Sequence, residues 1–416
     1  MKLRQLCSAA LAAACCLALL SVCGGQASVP EADLSLVQTD LSALTLPAEV
    51  RVVGLGEASH GAAEYHRAKA EVFRALVEDS GCRVFLIEGD FGGALKVDEC
   101  IHGGDGTSED AIGALGFAVY RTRELADLLD WMRAYNETAA PGEDLRFFGA
   151  DIQYFGGSRD YLLSVLDRAA PGLAETYRAA FAPLTDESAA SLDGTALRQG
   201  MADAQALTEE LDARREEFTA AVGEEAFLLA RECARSIYAC CDVRSSDDYN
   251  AVRDGYMAEK VLWFLEWWED GPLFLNGHNG HIGKTSVAGY RCLGERLDEA
   301  LGESYFAIGT DAADTRFHSR TADGGFEVVE VHNTNELTGQ FRYFDGDRFY
   351  LDFAAASADG AWAELLGREQ TFTTLNAGLA RPLTLFRAAY TTTVVPAETY
   401  DAMLLYRAVT PTTLLE

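Results

Sequence analysis

Predominantly apolar runs recur along the chain at strand length: residues 50–55, 83–87, 145–149, 273–276 and 305–309, with a late one at 403–406. A mostly apolar run this short, without polar alternation, predicts a strand buried on both faces, as parallel strands inside an α/β sheet are. Between the first two runs, residues 62–79 carry Tyr65, Val72, Phe73, Leu76 and Val77 on one helical face, with Gly81 as the stop. That order makes a βαβ unit, with parallel strands and a right-handed crossover. Residues 124–135 repeat the helical pattern ahead of the run at 145–149.

From about 158 to 268 strand character disappears, and alanine, leucine and glutamate predict several helices; Pro272 restarts the strands. The expected fold class is therefore α/β, a mainly parallel sheet flanked by helices, with a helical insertion. Residues 28–157 form the first part of the α/β catalytic domain, 158–270 the insertion and 271–416 the second part.

Polar residues collect where these strands end. Glu57 and His60 follow the first, Glu88 and Asp90 the second, Asp151 the third, and His278, Asn279 and His281 the fourth. The carboxyl ends of parallel strands share one edge, and ligands bind in the crevice beyond it, so these groups are expected to converge. A histidine can take a proton from water while a carboxylate orients the ring and stabilises its cation. His60 with Glu57 suits that role. His278 or His281 would then donate to an oxyanion or leaving group, a task Lys69 on the first helix shares. Catalytic candidates are His60, Glu57, His278 and Glu88; substrate-binding candidates are Lys69, His281, Asp90, Asn279, Asp151 and Arg253.

Plainer uses compete. Glu88, Asp90 and Asp151 suit helix caps. Arg253 and Asp254 suit an end-of-helix ion pair. Trp263, Trp267 and Trp268 suit either core packing or an apolar cleft, with packing favoured. His66, His102, His318 and His332 read as surface or core. A serine nucleophile lacks its Gly-x-Ser-x-Gly elbow. A metal-dependent hydrolase would use His278 and His281 with Glu57, His60 or Glu88, but no His-Glu-x-x-His is present. A third reading is an envelope lipoprotein that binds a ligand without turnover. No metal and no cofactor is expected.

Composition narrows the field. An apolar share of 49% with 24% charged residues belongs to a globular protein. Lys and Arg number 34 against 65 Asp and Glu, a net charge of −31, so the field repels nucleic acid, which is not an expected partner. Lys2 and Arg4 precede an apolar stretch, 11–22, too short to span a bilayer, so residues 1–27 read as an export signal. Leu20-Ser21-Val22-Cys23-Gly24-Gly25 fits a lipoprotein box, with Cys23 lipidated as a membrane anchor; Gly25-Gln26-Ala27 fits ordinary cleavage. Either way the protein is expected in the cell envelope or beyond. Six cysteines remain after Cys23, an even number that permits disulfides, although neighbouring Cys240 and Cys241 read as buried small hydrophobes.

Gly56-Glu57-Ala58-Ser59-His60-Gly61 resembles the Gly-Glu-x-Thr/Ser-His-Gly signature of the erythromycin esterase family, followed by Lys69 and by Phe85-Leu86-Ile87-Glu88-Gly89-Asp90. The stretches 131–136, 148–153, 253–259, 277–281 and 400–403 are also similar to that family, in the same order. The resemblance implies an α/β core with added helices and metal-independent hydrolysis of a macrolide lactone. It also implies that His60 acts on water, held by Glu57, while Glu88, Lys69 and His278 shape the pocket. The substrate would be a small-molecule ester or lactone. Gly277 and Gly280 stand where the family more often has alanine, which would loosen that loop.

Overall fold

The computed structural model describes residues 30–41, 44–268 and 270–415. Residues 1–27, expected to be an export signal, and Cys23 within them lie outside the described residues. The order begins β1 (Val52–Glu57), α1 (Ala63–Asp79), β2 (Val84–Asp90), α2 (Phe91–Ile101), α3 (Arg123–Asn136) and β3 (Arg146–Asp151). Six helices follow: α4 (Gly156–Ala169), α5 (Pro171–Ala180), α6 (Gly194–Ala213), α7 (Arg215–Val222), α8 (Glu224–Ser245) and α9 (Tyr249–Trp267). Then come β4 (Leu273–His278), α10 (Leu293–Leu301), β5 (Tyr305–Arg320), β6 (Phe326–His332), β7 (Arg348–Asp352), β8 (Gln370–Thr373), β9 (Thr391–Val394) and β10 (Ala402–Val409).

The main sheet runs β3-β2-β4-β1-β5-β10-β7, with β6 paired to β5. Its first six strands are parallel. β7 and β6 are antiparallel additions. The strands of the first βαβ unit are parallel as expected, but β4 lies between them. That placement sets the histidine-bearing end of β4 between the Glu57 and Glu88 ends.

β1, β2 and β4 are buried along their whole length, as their mostly apolar runs require. Val53, Leu55, Phe85 and Phe274 point to one face and pack under α1 and α3. Val52, Leu86, Phe148 and Leu275 point to the other, covered by residues of α4, α8 and α9 such as Leu162, Ile237 and Phe264. Each such side chain contributes roughly 1.5–3 kcal/mol by leaving water. Trp267 packs on Phe148, ring centroids 5.7 Å apart, and Trp263 and Trp268 pack against the same core, so the tryptophans serve packing. All six cysteines among the described residues are buried and unpaired, Cys240 and Cys241 included.

Candidate active site

Glu57 and His278 are register partners on β1 and β4. At this end of the sheet the backbones crowd: a Cβ on Gly56 would lie 2.1 Å from Asn279 Oδ1. Glycine leaves room for the Asn279 side chain to cross above β1 and pair with Thr310 on β5, its Nδ2 donating to the carbonyl at 2.7 Å and its Oδ1 accepting from the amide at 3.2 Å. The loop after β1 is pinned by Ala58 N donating to Thr310 Oγ1 (3.1 Å) and by His66 Nε2 donating to the His60 carbonyl (2.9 Å). Burial and the nearby Lys69 ammonium push His66 down to about 3, so its ring is a neutral strut.

His60 Nδ1 lies 2.7 Å from Glu57 Oε1, and Lys69 Nζ lies 2.8 Å from Glu57 Oε2. Burial opposes the charge on Glu57, but Lys69 and the hydrogen bond to His60 outweigh it and hold the carboxyl well below its ordinary range. An ionised Glu57 accepts from Nδ1–H, which assigns the His60 lone pair to Nε2. The imidazole lines the cleft, and among the described residues its Nε2 has no protein partner.

A second network stands beside it. Glu88 Oε2 accepts from the His278 backbone N–H at 2.7 Å, and its Oε1 from Arg253 Nη2 at 2.8 Å. Arg253 also clasps Asp151 (Nη2 to Oδ2, 2.7 Å), while His281 reaches Asp254 (2.9 Å) and Glu88 (3.2 Å). Burial disfavours charge throughout. Even so, Glu88 and the Asp254 hydrogen bond raise His281 to about 10, making it an imidazolium, and the His281 charge holds Glu88 well below its usual range. Three carboxylates thus surround two abutting cations, Arg253 Nη1 and His281 Nε2 being 3.1 Å apart.

His278 differs. Burial, then the neighbouring His60, lowers it to about 3. Two backbone N–H groups meet its ring, Gly280 at Nδ1 (3.1 Å) and Asn376 at Nε2 (3.4 Å); the shorter contact assigns the lone pair to Nδ1 and the proton to Nε2, a neutral donor. The same Nδ1 bond caps the turn that carries Gly280. The rings of His60 and His278 are 5.5 Å apart between centroids.

These groups open on a cleft of about 470 Å³ whose wall includes His60, Glu88, Arg253, His278 and His281. Glu57 stands behind His60. Of the other substrate-binding candidates, the structure places Lys69 against Glu57, Asn279 against Thr310 and Asp151 against Arg253, none lining the cleft. Asp90 caps α2 through Gly93 N (2.9 Å) and also accepts from Tyr154 N (3.2 Å). His281 and Arg253 reach the wall but are spent on the carboxylates.

No group of three His, Cys, Asp or Glu residues among the described residues is arranged to hold a metal ion. A cavity of about 350 Å³ among α6, α8 and α9 lies apart from the cleft; its Lys260–Glu232 and Arg231–Asp212 groups pair with one another. Sequence reading missed Tyr120 and Asn376, two wall residues on irregular segments that carry no periodic signal. The Asn376 carbonyl accepts from His60 N at 3.4 Å, and its own N–H lies 3.4 Å from His278 Nε2.

The sequence profile of the erythromycin esterase family matches residues 77–409. Glu57, His60 and Lys69 fall ahead of that segment. Erythromycin esterase type II of Escherichia coli is 27% identical over 295 residues, 63% of this chain and 68% of that protein. A Bacillus cereus protein of known structure superposes with a TM-score of 0.77 at 22% identity, over 91% of this chain and 92% of its own. A succinoglycan biosynthesis protein gives 0.77 at 19% identity, over 92% and 96%. A mutant erythromycin esterase in its open conformation gives 0.62 at 18% identity, over 89% and 93%. The three structures bear on the fold alone.

Proposed function

Because the chain belongs to the erythromycin esterase family, a family of hydrolases, we propose that it cleaves a carboxylic ester or lactone with water activated by His60. The observation that carries this reading is the 2.7 Å contact between Glu57 and His60 Nδ1, with Nε2 turned over to the cleft. His60 Nε2 takes a proton from water as the water oxygen adds to the carbonyl carbon. The His278 Nε2–H donates to the carbonyl oxygen as it gains charge. When the tetrahedral intermediate collapses, the C–O bond breaks and the alkoxide takes the proton back from the His60 imidazolium, whose charge Glu57 balances. Lys69 keeps Glu57 ionised; Glu88, braced by Arg253, fixes the backbone of His278.

The test is mass spectrometry of erythromycin, simple lactones and p-nitrophenyl esters incubated with the protein or with His60→Ala, following the gain of one water. A general base contributes about 10²- to 10⁴-fold, so the variant should lose at least a hundredfold. An unchanged rate in His60→Ala would sink the reading. Turnover of simple esters without erythromycin would keep the mechanism and discard the macrolide.

A further inference from the structure

Among the described residues lining the cleft, Tyr120 alone carries a buried side-chain polar atom without a hydrogen-bond partner. The residue closes the short turn Ala118–Tyr120 and is 1% exposed. Buried hydroxyls in native folds are nearly always bonded, so the exception needs a reason. Core packing explains the ring, which meets Phe117 at 6.1 Å and carries Lys69 Nζ at 5.3 Å from its centroid. It does not explain the hydroxyl, because phenylalanine would fill the same space.

The ring stands edge-on to the His60 imidazole, centroids 5.9 Å apart and planes at 79°. Burial, and then the charges of Glu88 and Glu57, push the phenol well above its usual ionisation, so it stays a neutral O–H donor. The two carboxylates that act on it are those that orient His60 and anchor His278. His278 flanks His60 at a similar distance, 5.5 Å. A carbonyl oxygen developing negative charge beside water held by His60 has His278 as one donor, and oxyanion sites ordinarily present more than one.

We propose that the Tyr120 hydroxyl is the second oxyanion donor, a catalytic residue of the reaction; this rests on the hydrolase reading of the same cleft. As the water oxygen bonds to the carbonyl carbon, the C=O π pair moves onto oxygen. That oxygen accepts hydrogen bonds from Tyr120 O–H and His278 Nε2–H. Tyr120 keeps its proton throughout, and collapse of the intermediate returns the electron pair to the C=O bond. Substrate supplies the partner that the fold withholds.

The experiment compares the full protein, Tyr120→Phe and His60→Ala on the fastest-cleaved of erythromycin, simple lactones and p-nitrophenyl esters, with melting temperatures alongside. Loss of one oxyanion donor should lower kcat roughly a hundredfold, with KM within about twofold. Tyr120→Phe should melt no lower than the parent, because it deletes a buried hydroxyl with nothing to bond. Unchanged kcat in Tyr120→Phe, with His60→Ala inactive, would overturn the role of Tyr120 and leave the hydrolase reading standing. A lower melting temperature with a rate loss matching the unfolded fraction would assign the hydroxyl to structure and also overturn it. A parent protein no faster than His60→Ala would overturn both.

Discussion

Lys69 Nζ lies 2.8 Å from Glu57 Oε2, on the side of the carboxylate away from His60, and both side chains are sealed from solvent. The lysine therefore governs the charge of the group that orients His60, and reaches substrate only through it. A buried carboxylate that lost this cation would take up a proton or destabilise the fold.

Lys69→Met should accordingly cost about 3 kcal/mol in urea unfolding, because removal of one partner strands a buried charge. In the folded fraction kcat should fall with KM little changed, since the protonated Glu57 no longer holds the imidazole tautomer. Intact stability with a large rise in KM would mean that Lys69 contacts substrate instead.

His278 offers a different test, because it stays neutral down to about pH 3. Its donation should be the same at pH 5 and pH 8. The ratio of kcat between the parent and His278→Ala should be roughly a hundredfold and flat across that window. A ratio that collapses as the pH falls through 6.5 would require a titrating His278, and the neutral-donor role would go.

The edge of the sheet was legible because fully buried parallel strands leave mostly apolar runs, and their ends marked Glu57, Glu88, Asp151 and His278. The helices read between 158 and 268 are present as α4 to α9. Strand order was not legible: nothing local states that β4 enters between β1 and β2, yet this is what sets His278 beside Glu57. For the same reason the partners of Arg253 were hidden, since Asp151 precedes it by 102 residues. β8 and β9 escaped notice because Gln370, Thr371 and Thr391 to Thr393 give no apolar run. Glu88 and His281 were placed at the right edge, but sequence could not foretell that they would neutralise each other.

That mutual neutralisation predicts an alkaline loss of stability. His281 titrates at about 10 in the fold against about 6.5 in the unfolded chain, so the folded state holds its proton more tightly. Below about pH 6.5 both states are protonated and the full contribution is present. Between there and pH 10 it is lost at roughly 1.4 kcal/mol per pH unit. Urea midpoints at pH 6, 8 and 9.5 should therefore show the gap between the parent and His281→Gln narrowing as pH rises. A constant gap would mean that His281 is not cationic.

Asn376 joins the two histidines through its backbone, and among the described residues it is the one non-glycine with positive φ, at +45°. Asparagine tolerates the left-handed region better than most residues, and a β-branched side chain tolerates it poorly. If the loop acts by holding its carbonyl on His60 N, Asn376→Gly should keep kcat within about threefold, since glycine adopts the same φ without strain. Asn376→Val should destabilise the protein by roughly 1–2 kcal/mol and lower kcat further, because the strained loop would retreat from both rings. Equal losses of kcat in the two variants, with the glycine form fully stable, would shift the role from the backbone to the amide side chain in the cleft wall.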